Sequence, residues 1–174
     1  MRDDAGVTWT DSEGAACLTC GRPIDAHNRH VRYRLPDPVL ALPGREHTEG
    51  SWLSHADANQ SVMMMVPTVG TFVRVLLPVR LPGGYTVTFG VWLGVHPDDL
   101  QRAFSIWWTL EYVDLRLDGR LANALPAWDL LAAPAEAAVQ NPEETPYIVD
   151  SSDPGLKKVL ATVWPHDEIL AGLP

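Results

Sequence analysis

The sequence lacks the long apolar runs and the cysteine framework that mark several large protein classes. No apolar run approaches the roughly 18 residues of a membrane-spanning helix, and the first residues carry no apolar core of a signal peptide. The only two cysteines, Cys17 and Cys20, are too close together for an ordinary structural disulfide. We therefore expect a protein of the cytoplasm, where thiols stay reduced, that makes no contact with a membrane.

Basic residues are also scarce. The 13 Lys and Arg residues stand against 22 Asp and Glu residues, which gives a net charge of −9. Nucleic-acid binding requires a basic surface and is therefore not expected. A hydrophobic fraction of 46% and seven Trp instead predict one packed globular domain.

The sequence also lacks the common catalytic motifs. No Gly-rich phosphate loop follows a predicted strand, and no Ser-centred nucleophile elbow is present. Paired carboxylates occur at 98–99, 143–144 and 167–168, where predicted helix starts or polar turns keep them solvated. No acid–base pair is therefore predicted.

Residues 71–96 predict a long β-hairpin, because two runs rich in β-branched and aromatic residues flank Pro82, Gly83 and Gly84. A three-residue loop pairs Leu81 with Tyr85 and places the apolar rows of both strands on one face. A two-residue loop would shift the register and mix those rows, so the pattern favours the longer loop. The predicted apolar face consists of Val73, Val75, Leu77, Val79, Leu81, Tyr85, Val87, Phe89, Val91, Leu93 and Val95.

Two helices are predicted to cover this apolar face. The first begins at Pro97, and the second runs over residues 154–163 with Asp153 as its N-cap. The predicted buried stripe of the first helix is Leu100, Ala103, Phe104, Trp107 and Trp108. With further strands at 61–66, 135–139 and 146–149, the chain predicts an α+β fold whose antiparallel sheet is built on the hairpin. Residues 1–15 are predicted to form a flexible arm before a single domain over 16–174.

The segment 17–30 predicts a metal knuckle at the start of this domain. Cys17 and Cys20 can bind one ion while Gly21 lets the backbone turn beneath them, and His27 and His30 complete a set of four ligands. We predict a structural zinc ion, with a catalytic zinc as the alternative if one His is absent from the set. Two unligated thiols are a further alternative. A redox dithiol is disfavoured because Gly21 and Pro23 oppose a helix at this point.

The other face of the hairpin predicts a ligand-binding surface. Arg74 stands opposite Trp92 in the predicted register, and glycines on both sides of Trp92 leave its ring uncovered. With Arg80 and His96 on the same face, this surface suits an anionic or aromatic small molecule, or a protein partner. The alternative is that residues 121–128 or a loop cover Trp92 and that Arg74 pairs with an internal carboxylate.

Several short motifs follow one another along most of the chain, from Cys17 to the last predicted helix. They are Cys17-x-x-Cys20-Gly21, Phe72-Val73-Arg74, Phe89-Gly90-Val91-Trp92, and Gly119-x-Leu121-x-Asn123-x-Leu125-Pro126 followed by Trp128. In this order they resemble a bacterial family known as domain of unknown function 2199. The resemblance implies a shared fold but no activity. Where the family often has a His shortly after the Cys-Gly pair, this chain has Ile24, so that His27 or His30 would substitute.

Together these features predict a zinc-containing binding or accessory protein whose partner is a small molecule or another protein. An enzyme acting on a small molecule, with its site beside the hairpin face or at the zinc, is the alternative. A homodimer is also left open.

Overall fold

The computed structural model describes residues 16–21 and 27–173. The predicted arm at 1–15 and the middle of the knuckle, 22–26, lie outside these residues. In chain order, the described elements are β1 (His30–Arg32), α1 (Asp37–Leu40), β2 (Trp52–Leu53), β3 (Met63–Val66), β4 (Gly70–Leu81), β5 (Tyr85–Val95), α2 (Pro97–Ile106), β6 (Arg116–Leu121), β7 (Pro134–Ala138), β8 (Tyr147–Asp150), α3 (Pro154–Ala161) and α4 (His166–Leu170). Short 3-10 turns lie at Arg45–His47 and Leu110–Asp114.

The long hairpin of β4 and β5 has the register that its hydrophobic pattern predicts. Leu81 lies opposite Tyr85 and Arg74 lies opposite Trp92. The loop between the strands holds Gly83 and Gly84 at φ of +85° and +81°, a backbone conformation that other residues rarely adopt. A three-residue loop with two glycines therefore fixes the pairing of the longest strands.

Five of the strands close into a barrel in the order β5-β6-β7-β8-β4, because β4 also pairs with β5. Closure is possible because one edge of β4 serves two partners, β3 along residues 70–73 and β8 at Leu76. The β4–β8 and β1–β5 pairings are parallel. The α+β composition is thus as predicted, whereas the expected purely antiparallel sheet is corrected to a mixed sheet that closes on itself.

The predicted apolar face of the hairpin forms the barrel core. Its side chains are buried apart from Tyr85, which is partly exposed, and α2 and α3 both contact β4. Both helices begin where predicted, with Asp153 accepting a hydrogen bond from the Leu156 N–H at 3.0 Å. The stripe predicted for α2 is only partly buried, since Phe104 and Trp108 are exposed. The helix ends at Ile106, so the helical spacing no longer applies at Trp108.

A second core covers the opposite face of the hairpin, which the sequence analysis assigned to ligand binding. It is formed by Leu35, Val39, Ala58, Met64, Val66, Phe72, Trp92 and Ala122. Residue 122 comes from the segment that the alternative prediction placed over Trp92, and its N–H donates to the Trp92 carbonyl at 2.8 Å. The hairpin is therefore a central layer with both faces buried.

Arg74 lies inside this second core with only 1% of its surface exposed. Its guanidinium lies 4.2 Å from the Trp92 ring centroid. It donates to backbone carbonyls of Tyr33 at 2.6 Å, Ser61 at 2.8 Å, Ala58 at 3.2 Å and Gly90 at 3.4 Å. Burial, with a smaller effect of Arg32, lowers the pKa of Arg74 to about 9, so the side chain remains cationic at neutral pH. Its partners are carbonyl oxygens, not the carboxylate that the alternative prediction expected.

We expect Arg74→Gln to reduce the free energy of unfolding by about 3–5 kcal/mol, because the shorter amide leaves buried carbonyls without donors. Chemical denaturation monitored by Trp fluorescence measures this change. The matched control is Arg80→Gln, since Arg80 also donates to two carbonyls but is exposed. A loss at Arg74 no larger than that at Arg80 would contradict the role of Arg74 in the core.

Candidate metal centre

Four side chains from both ends of the chain converge on one point. The ligand atoms of Cys17, Cys20, His27 and His166 all lie within 4.8 Å of one another. The Cys17 Sγ lies 3.5 Å from His166 Nδ1, and the Cys20 Sγ lies 3.3 Å from His27 Nε2. A tetrahedral zinc site with Zn–S of about 2.3 Å and Zn–N of about 2.0–2.1 Å has sulfur–nitrogen edges of about 3.5 Å. The two observed sulfur–nitrogen separations are thus close to the edges of a tetrahedral zinc site.

The two cysteines are positioned by a tight turn of the backbone. Gly21 adopts a φ of +73°, and its N–H donates to the Cys17 carbonyl at 2.8 Å. The Thr19 N–H points at the Cys17 Sγ at 3.4 Å. Burial disfavours the Cys17 thiolate, but hydrogen bonds from the Cys20 and Thr19 backbone and from the Cys20 and His27 side chains together lower its pKa to about 6. The lowered pKa favours the thiolate form of Cys17, which metal binding requires.

His166 is the first residue of α4, and the hairpin loop fixes its ring. Its Nε2 lies 2.8 Å from the Pro82 carbonyl oxygen. Because a carbonyl oxygen only accepts, Nε2 carries the hydrogen, and Nδ1 remains a lone-pair donor toward Cys17. A second hydrogen bond of this kind commonly orients a metal-binding histidine.

Aromatic rings enclose the nitrogen side of the cluster. The His27 ring is fully buried, with its centroid 4.8 Å from that of Tyr85 and 4.6 Å from that of His166. The Tyr85 ring packs against both imidazoles, and three of the four candidate ligands, Cys17, His27 and His166, are buried. The surrounding side chains therefore limit the access of solvent to the cluster.

The structure brings together three of the four predicted ligands and replaces the fourth. His30 is exposed at the start of β1, opposite Thr88, and lies outside the cluster. His166 takes its place from a position 149 residues after Cys17. Local spacing could not identify His166, because only the tertiary fold brings α4 to the hairpin loop.

The four predicted ligand-binding residues do not form one exposed surface, although Arg74 and Trp92 lie against each other. Arg74 and Trp92 are buried and bound to the backbone, which leaves no surface for a ligand. Arg80 lies near the loop end of the hairpin and donates to the Ala161 carbonyl at 2.9 Å. His96 lies beyond the other end and caps α2 by accepting from the Asp98 N–H at 3.2 Å. The predicted ligand-binding surface is thus corrected. Arg74 and Trp92 lie in a buried layer, and Arg80 and His96 make hydrogen bonds at the ends of helices.

Comparison with protein-family models, with curated proteins and with solved structures found no match to this chain. The resemblance to domain of unknown function 2199 therefore stays a prediction. Among the helices of the described residues, none has the length and apolar character needed to cross a membrane.

We expect Gly21→Ala to weaken zinc binding, because the knuckle needs a left-handed backbone that costs other residues about 1 kcal/mol or more. This cost corresponds to an increase in Kd of about fivefold, measured by competition with a chromophoric chelator. Gly44→Ala is the matched control, since Gly44 has a φ of +76° and, like Gly21, has no atom within 4 Å of an added Cβ. Equal zinc affinity in the two variants would contradict this role of Gly21.

Proposed function

We propose that this protein is a binding or accessory protein whose N-terminal knuckle is held in place by one structural zinc ion. The observation that supports this proposal most strongly is the cluster of Cys17, Cys20, His27 and His166, with all ligand atoms within 4.8 Å. Two sulfur and two nitrogen donors form a common structural zinc site.

The donor chemistry favours zinc over other common metal ions. Magnesium and calcium prefer oxygen ligands, which this cluster lacks among its four members. Thiolate sulfur is a soft ligand and imidazole nitrogen is borderline, a combination that suits zinc. Both cysteines are free thiols, which fits a reducing compartment such as the cytoplasm.

A structural role is favoured over a catalytic one by the number of ligands. A catalytic zinc usually keeps one position for water or substrate, whereas four protein ligands fill a tetrahedral ion. Cys17, His27 and His166 are buried, and Cys20 is partly exposed. The alternative enzyme, where its site is at the zinc, would require one of these ligands to be displaced, with Cys20 the most accessible.

Residues 16–21, at the start of the knuckle, bury little of their side chains. Within residues 16–21 only Cys17 is buried, and the Leu18 side chain is fully exposed. In contrast, Ile169 and Leu170 of α4 are buried in the barrel core. The ion would therefore tie a weakly packed segment to a well-packed one.

Metal analysis of protein purified without a His tag tests the proposal. We expect about one zinc per chain, as four filled ligand positions imply. His166→Ala should lose the zinc and lower the Tm, because two sulfurs and one nitrogen bind more weakly. His30→Ala is the matched control and should keep the zinc and leave the Tm unchanged. Zinc content that depends on His30 and not on His166 would refute this ligand set.

X-ray absorption at the zinc edge separates the structural role from the catalytic one. Two sulfur and two nitrogen neighbours support a structural ion. A water oxygen in place of Cys20 would instead support the enzyme alternative.

A further inference from the structure

The segment from α2 to the following 3-10 turn exposes an unusual amount of apolar side chain. The exposed fractions are 55% for Phe104, 85% for Trp108, 95% for Leu110 and 51% for Val113. We call these four residues the α2 patch. Single exposed apolar residues are common, but four within ten residues, two of them aromatic, mark an interaction surface.

A groove adjoins the patch at Phe104. It has a volume of about 320 Å³ and is lined by Trp52, Met65, Thr71, Pro97, Leu100, Gln101 and Phe104. The Trp52 and Phe104 rings meet edge to face with their centroids 5.5 Å apart. The groove is thus large enough for one or two apolar side chains of a partner, and two aromatic rings form part of its wall.

The charge around the patch identifies the kind of partner. Residues 97–114 carry four carboxylates, Asp98, Asp99, Glu111 and Asp114, against the single cation Arg102. The whole chain has a net charge of −9. An anionic lipid surface and a second copy of this chain are both repelled by this field, whereas a cationic partner is attracted.

We propose that the α2 patch binds a cationic amphipathic segment of another protein. Aromatic or aliphatic side chains of that segment enter the groove beside the Trp52 and Phe104 rings, and its Lys or Arg side chains lie near the four carboxylates. Trp108 provides the largest exposed contact, as Trp commonly does at the centre of interfaces. This inference rests on the binding role proposed above and specifies the partner.

A selection from a displayed library of random peptides tests the proposal. The full zinc-loaded chain is the bait, and the double variant Phe104→Gln/Trp108→Gln removes peptides that bind elsewhere. We expect the retained peptides to combine Trp, Phe or Leu with Lys or Arg. Their affinity, measured by fluorescence anisotropy, should fall as salt is raised, because charge attraction is screened.

Each single variant, Phe104→Gln or Trp108→Gln, should weaken binding of these peptides by about tenfold or more. Leu131→Gln is the control, because Leu131 is also an exposed apolar residue (46%) but lies outside the patch. Unchanged thermal melting of the variants shows that they remain folded. Equal loss of binding at Leu131, retained peptides that are acidic, or no patch-dependent peptide would overturn the proposal.

Two further measurements test whether the patch binds a second copy of this chain or a membrane instead. Self-association in sedimentation velocity that the double variant abolishes would assign the patch to a second copy. Patch-dependent binding to anionic lipid vesicles would assign it to a membrane, and either result overturns the proposal. Zinc content is measured separately, so a purified chain that takes up no zinc but still binds the peptides would refute the zinc and leave the patch supported.

Discussion

A buried cation determines how the N-terminal half of the chain packs on the hairpin. Moving an unpaired guanidinium into a protein core costs several kcal/mol, and Arg74 avoids this cost by donating to four backbone carbonyls. Only the Gly90 carbonyl belongs to the hairpin itself. The Tyr33 carbonyl follows β1, and the Ala58 and Ser61 carbonyls precede β3. Satisfying one side chain therefore requires two separate segments to cover the hairpin, and this requirement creates the second core.

A buried amide and a carboxylate fix the same segment a few residues further along. The Asn123 side-chain NH2 donates to the Leu35 carbonyl at 2.9 Å and to the Asp37 carboxylate at 3.0 Å. The Asn123 side-chain oxygen accepts from the backbone N–H of Trp92 at 2.8 Å. Residues 33–37 are thus anchored by polar contacts to both β5 and the segment after β6. His27 lies just before β1 in the chain. Its position therefore depends on β1 and on the anchoring of residues 33–37. The metal centre is therefore placed by the fold as well as by the Cys17–Cys20 turn.

The sequence predicted what depends on local periodicity and missed what depends on distant pairing. The Leu81–Tyr85 register and the starts of α2 and α3 follow from alternation, loop length and capping residues, and the structure has all three. Barrel closure was not predictable in this way, because nothing in the pattern of β4 shows that one edge serves both β3 and β8. The hairpin face that carries Arg74 was wrongly predicted to be exposed, because Arg, Thr and Gly recur at alternate positions there, as they do on a solvated face. His166 was missed because its partners lie at the other end of the chain.

The metal centre and the α2 patch lie on different parts of the barrel and are held by different forces. The centre joins the knuckle, the hairpin loop at Pro82 and α4, whereas the patch follows the opposite end of the hairpin, where β5 leads into α2. The side chains that hold α2 on the barrel, Leu100, Ala103 and Trp107, are buried in the barrel core. Losing a bound ion would release residues 16–21, among which only Cys17 is buried, and would leave those core contacts in place. The proposed zinc site and the proposed partner-binding patch therefore depend on different contacts of this fold.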